Sequence, residues 1–135
     1  MGNLLEVEGL TAGYGEAVVL DRLSFVVKEG EALALLGRNG MGKTTTIDSL
    51  VGVTRRFAGT IRLAGVDVST FSPEKRAQAG IGWVPQERNI FKSLTVEENI
   101  TAIARPGPWT LRRIYDMFPR LEERRSNMGN QLSGG

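Results

Sequence analysis

An α/β fold is predicted by three features of the 135-residue sequence. Residues 32–36, ALALL, form a short unbroken apolar run of the kind buried on both faces of a sheet. A loop carrying Gly37, Gly40 and Gly42 follows directly. Ile47, Leu50 and Val51 then recur at helical spacing, and Gly52 stands where a helix would stop. Strand, glycine loop and helix therefore follow one another in order.

The remaining elements frame this unit. Residues 4–7 and 18–27 read as strands around the turn AGYGE, the second with apolar Val18, Leu20, Leu23, Phe25 and Val27, so the chain opens as an antiparallel β piece. GTIRLAGVDVS, residues 59–69, reads as a hairpin strand and turn. Ser72 followed by Pro73 opens a short helix through Gln78, and IGWV, residues 81–84, reads as a strand ending at Pro85. Thr95 with Glu98 forms a capping box before the helix VEENITAIA, which RPGP closes at residues 105–108. LRRIYDMF follows Thr110 as a second helix and stops at Pro119. The last stretch begins helically and becomes polar and glycine-rich, and an ending on Gly134 and Gly135 gives the expectation of a truncated chain.

Composition narrows the functional classes. The 41% hydrophobic and 24% charged residues are those of a globular domain, and the length suits one domain or part of one. Seventeen Lys and Arg against fifteen Asp and Glu leave a net charge of +2, too little to argue for a nucleic-acid partner. The densest basic cluster, residues 120–125, is interrupted by Glu122 and Glu123 and reads as a solvated helix face. Without cysteine there is no disulfide framework and no thiolate metal site. No apolar run approaches the roughly 18 residues of a membrane helix, so a membrane role has to come through a partner.

The glycine loop carries the chemistry. Residues 37–44, Gly37, Arg38, Asn39, Gly40, Met41, Gly42, Lys43 and Thr44, fit G-x-x-x-x-G-K-[ST]. The glycines let the backbone curl so that its N–H groups point at phosphate oxygens, beside a helix N-terminus whose dipole favours anions. Lys43 adds a point charge for the β and γ phosphates, the Thr44 hydroxyl is placed to ligate Mg²⁺, and Thr45 adds a further phosphate contact. A nucleotide triphosphate with Mg²⁺ is the ligand these residue types specify. The guanine-reading N-K-x-D of small GTPases does not occur in the sequence.

Three further motifs select among nucleotide-binding classes: Tyr14 in TAGYG, Gln86 in GIGWVPQ, and LSGG at residues 132–135. Together with the glycine loop of residues 37–44 they resemble the nucleotide-binding subunits of ABC transporters, with Walker A, Q-loop and signature motif in that family's order, across the whole chain. The resemblance implies the N-terminal part of a P-loop NTPase: an antiparallel β subdomain with the Walker A core over residues 1–92, and a helical subdomain over 93–135. It implies that Tyr14 stacks on adenine, that Gln86 contacts Mg²⁺ and links the site to the membrane subunit, and that Ser133, Gly134 and Gly135 act in trans on the ATP of a second ATPase subunit. The Walker B strand, its carboxylates and the switch histidine of the family are expected beyond Gly135, and the chain contains no histidine and no catalytic residue of its own. The expectation is that the intact protein hydrolyses ATP and that these 135 residues alone do not.

More locally, TVEENI and YDMFPRLEERRSNMGNQLSGG resemble the ATPases of branched-chain amino acid importers and their urea or amide relatives, although Glu87 stands where that group has glycine. This implies membrane-spanning permease partners, indirectly a solute-binding protein, and a peripheral place on the cytoplasmic face of the inner membrane. A soluble ABC ATPase of DNA repair or translation is the alternative, disfavoured by the short spacing from Lys43 to Gln86. A small-molecule P-loop kinase, which lacks LSGG, is a more distant one.

Overall fold

The computed structural model describes residues 2–38, 40, 42–85, 90–102 and 104–132. The chain divides into two compact units, Met1–Val84 and Pro85–Gly135.

In the first unit, β1 (Asn3–Tyr14) and β2 (Ala17–Lys28) form the long antiparallel hairpin that the alternation predicts. Strands β3 (Arg55–Leu63) and β4 (Val66–Asp67) complete an antiparallel sheet in the order β2-β1-β3-β4. Ala64 and Gly65, at φ 49° and 80°, make the two-residue β3–β4 turn, whose paired positive φ values match the right-handed twist of the strands. One face of the sheet is the core, with Val7, Leu10, Ala12, Leu20, Ile61 and Val68 buried. Val7 and Leu10 lie three apart, as do Leu20 and Leu23, yet all four share the core. Bulges change the parity of both strands there: the Gly9 amide donates to Ser24 Oγ at 2.8 Å and the Arg22 amide to Thr11 Oγ1 at 3.2 Å.

Helix α1 (Lys43–Val51) lies against β1, β2 and β3 and contributes Leu50 to the apolar cluster. It ends at Gly52 as predicted, in the left-handed conformation at φ 92°. Helix α2 (Pro73–Ala79) is capped by Ser72, whose side chain accepts from the Lys75 amide. Its Arg76 is 5% exposed and its guanidinium is met by carbonyl oxygens: Ser49 at 2.7 Å, Ser69 at 2.9 Å, Phe71 at 2.9 Å and Leu50 at 3.2 Å. Two of these belong to the last turn of α1, so Arg76 fastens α1 by its negative end. Arg76→Met should cost about 3 kcal/mol in a denaturant titration, because buried carbonyls lose a charged donor at once.

Two predicted strands are absent as such. Residues 32–36 and 81–84 carry no ladder among the described residues, and Leu36 and Val84 are 90% and 93% exposed. An extended run becomes a strand only through hydrogen bonds to a neighbour, and no neighbouring strand pairs with either among the described residues. Hydrophobicity alone marks the candidates without supplying that partner.

The second unit is helical. Thr95 opens α3 (Val96–Thr101) with the predicted capping box, its amide donating to Glu98 Oε1 at 2.9 Å and its Oγ1 accepting from the Glu98 amide at 3.1 Å. The helix is shorter than predicted, ending at Thr101 with Ala102 as its C-cap, ahead of the Pro and Gly run. Asn99 holds the preceding turn, its amide group donating to the Leu94 and Thr95 carbonyls and exchanging hydrogen bonds with the Phe91 backbone. Residues 94–97 also bond through the backbone to residues 125–129. Helices α4 (Leu111–Met117) and α5 (Pro119–Glu123) are joined by Arg112, whose guanidinium reaches Asp116 and both oxygens of Glu122.

The capping box has a pH signature. The Thr95 amide, and then the Thr95 hydroxyl, hold the Glu98 carboxyl below its ordinary value of 4.5. A depressed pKa contributes stability that is present above the unfolded value and is lost as pH falls through the folded one. Protection of the Thr95 amide, taken relative to intrinsic exchange at each pH, should therefore be high near neutrality and fall as pH drops below 4.5, whereas Glu98→Gln should show no such acid step.

Candidate nucleotide site

The loop after residues 32–36 passes through Gly40, at φ 84°, to Gly42, at φ 96°. Gly42 is the N-cap of α1, and no side chain caps the helix there. The left-handed φ at Gly42 calls for glycine, and a Cβ there would lie 2.9 Å from Leu20 Cδ2, which would have to shift. The Gly42 carbonyl accepts from the Thr46 amide at 2.8 Å and the Thr46 hydroxyl at 2.7 Å, which locks the first turn. The leading amides of α1 thus face outward with no side-chain acceptor of their own, and the first turn contains no acidic residue.

Lys43, half-buried, folds back so that its Nζ donates to the Gly37 carbonyl, closing the loop on itself. The ammonium, the open amides and the helix dipole are all positive at one place, which is an anion seat. Thr44 is exposed beside Lys43, and Arg38 is exposed on the loop. A lone hydroxyl next to such a seat fits Mg²⁺, which takes few protein oxygens and fills its shell from phosphates and water.

Thr45 differs: its side chain is buried, so what it offers a phosphate is its backbone amide. Tyr14 ends β1 with 45% of its surface exposed, and its hydroxyl donates to Asp48 Oδ2 at 2.7 Å. The neighbouring Thr45 hydroxyl pulls the phenol down, but the Asp48 hydrogen bond, partial burial and the Asp48 charge together hold its pKa above the usual value. Sequence reasoning did not select Asp48. The available signal was its i, i+3 relation to Thr45, which places both on the face of α1 turned to β1.

The structure therefore brings Gly37, Gly40, Gly42, Lys43 and Thr44 together at the start of α1, with Tyr14 bonded to Asp48 and Thr45 buried in the same helix. Asn39, Met41, Gln86, Ser133, Gly134 and Gly135 lie outside the described residues. No helix among the described residues is long and apolar enough to cross a membrane.

Comparison with known proteins agrees with this geometry. The family model described as "ABC transporter" matches residues 20–135. A Nod factor export ATP-binding protein I of Ralstonia nicotianae is 40% identical over 98% of this chain and 42% of its own length. The lipopolysaccharide export system ATP-binding protein LptB of Haemophilus influenzae is 39% identical over 98% of this chain and 58% of its own length. A solved structure of an ATP-binding subunit of an ABC transporter superposes with a TM-score of 0.78 at 32% identity, over 96% of this chain and 56% of that one. The chain thus spans about half the length of the relatives it matches. The antiparallel sheet, the lysine-bearing glycine loop opening α1 and these matches have one common reading: the chain belongs to the ABC transporter family, whose ATPases bind ATP, generally with Mg²⁺.

Proposed function

We propose that these residues hold MgATP for an ATP-driven transporter subunit. The observation that carries this reading is the uncapped start of α1 at a left-handed Gly42, with the Lys43 ammonium on the Gly37 carbonyl. On binding, Lys43 exchanges that carbonyl for β and γ phosphate oxygens, the amides of Gly40, Gly42, Lys43, Thr44 and Thr45 with those of Asn39 and Met41 surround the phosphates, and Tyr14 stacks on adenine. When bound, Mg²⁺ supplies charge neutralisation at the phosphates, and Thr44 and Gln86 would hold it. Ser133, Gly134 and Gly135 meet the nucleotide of a second ATPase subunit. The 135 residues contain no histidine, so none of them is assigned the family's switch role.

In this reading the protein works on the cytoplasmic face of the membrane with permease subunits. The motifs TVEENI and YDMFPRLEERRSNMGNQLSGG support branched-chain amino acid import, fed by a solute-binding protein. A second reading, export of a larger amphiphile, is favoured by relatives whose names are those of Nod factor and lipopolysaccharide export proteins. The test is ATP turnover by the intact protein reconstituted with its permease in vesicles. Turnover stimulated by leucine and its binding protein supports import, and turnover indifferent to leucine rejects it. No turnover with any permease would reject the transport reading altogether.

A further inference from the structure

Tyr14 has a firm partner on α1: its phenol donates to Asp48 Oδ2 at 2.7 Å. Asp48 lies on the helix that begins at the phosphate seat, one turn beyond the buried Thr45. A surface tyrosine without partners samples its rotamers, and ordering such a side chain on binding costs about 0.5–1.5 kcal/mol. Here the hydroxyl is bonded to Asp48, so the exposed ring is already fixed relative to α1.

We propose that Asp48 is a positioning residue for the nucleobase: through the Tyr14 hydroxyl it fixes the ring on which the base stacks, at a set height above the phosphate seat. This rests on the nucleotide reading above and extends it to a residue that touches neither base nor phosphate. The carboxylate acts as an acceptor with a fixed position rather than as a charge near the ligand. Asparagine in its place, with a carbonyl oxygen in the same position, keeps the function, and alanine loses it.

The experiment titrates the full-length protein by calorimetry with MgATP and with magnesium tripolyphosphate, which has phosphates and no base. Asp48→Ala is expected to weaken MgATP binding roughly three- to tenfold while leaving tripolyphosphate unchanged. Asp48→Asn should stay within about twofold of wild type, and Tyr14→Phe should match Asp48→Ala, with no added loss when the two are combined. Unchanged MgATP binding in Asp48→Ala, or equal losses on both probes, overturns the proposal. If Asp48→Ala does not fold, Tyr14→Phe decides in the same way: a loss confined to MgATP supports the positioning role of the Tyr14–Asp48 bond, and no loss overturns it. Wild-type protein that binds neither probe overturns the nucleotide reading itself, an outcome distinct from any failure of Asp48.

Discussion

Replacing Lys43 by alanine is expected to weaken MgATP binding on the order of a hundredfold while leaving the melting temperature almost unchanged. Both halves follow from the geometry. In the structure the Lys43 ammonium has a neutral partner, the Gly37 carbonyl, and an exposed or half-exposed bond of that kind contributes little to stability. Against a triphosphate the same ammonium faces multiple negative oxygens inside a ring of amides, where charge-assisted hydrogen bonds are about twice as strong. Lys43→Arg should rescue only part of the loss, because a planar fork fits a loop shaped around a point charge poorly. Calorimetry for binding and thermal unfolding for stability check the two halves on the same samples. A large fall in melting temperature would mean that Lys43 holds the loop together rather than the ligand.

Gly13→Ala should destabilise the first unit by about 4 kcal/mol or more, a fall of roughly 15 °C in melting temperature. Gly13 sits in β1 between Val18 of β2 and Arg55 of β3 in the ladders. A Cβ there would lie 1.8 Å from the Ala17 carbonyl oxygen and 3.0 Å from the Val19 amide nitrogen, all backbone atoms that cannot step aside singly. The hairpin would have to open at its tight end, which is also where Tyr14 leaves the strand. MgATP affinity should therefore fall together with stability, whereas Lys43→Ala separates the two. Circular dichroism melts of Gly13→Ala beside Gly2→Ala, where a Cβ meets nothing within 4 Å, give the comparison directly.

Local signals in the sequence were legible where the structure answers them locally. Gly52, Ser72, Thr95 with Glu98 and Thr110 each mark a helix end, because a cap is satisfied within three or four residues of itself. The positive φ of Gly40 and Gly42 and the bond of Lys43 to Gly37 could be anticipated for the same reason, since these residues are near neighbours in the sequence. Residues 32–36 and 81–84 failed as strands because pairing depends on a partner far along the chain, which composition does not reveal. Asp48 was overlooked because its partner, Tyr14, is 34 residues away and meets it only after β1 and α1 pack together. Arg76 was overlooked because a buried arginine bound to carbonyls leaves no carboxylate in the sequence to announce it.

If the open backbone amides of Gly40, Gly42, Lys43, Thr44 and Thr45 seat the phosphates, NMR of the intact protein should report it as MgATP is added. Those five amides are expected to shift downfield and exchange more slowly, an effect reproduced by magnesium tripolyphosphate, with Tyr14 ring signals moving for MgATP alone. Nucleotide binding that leaves those five amides unshifted, with the changes elsewhere in the chain, would contradict it.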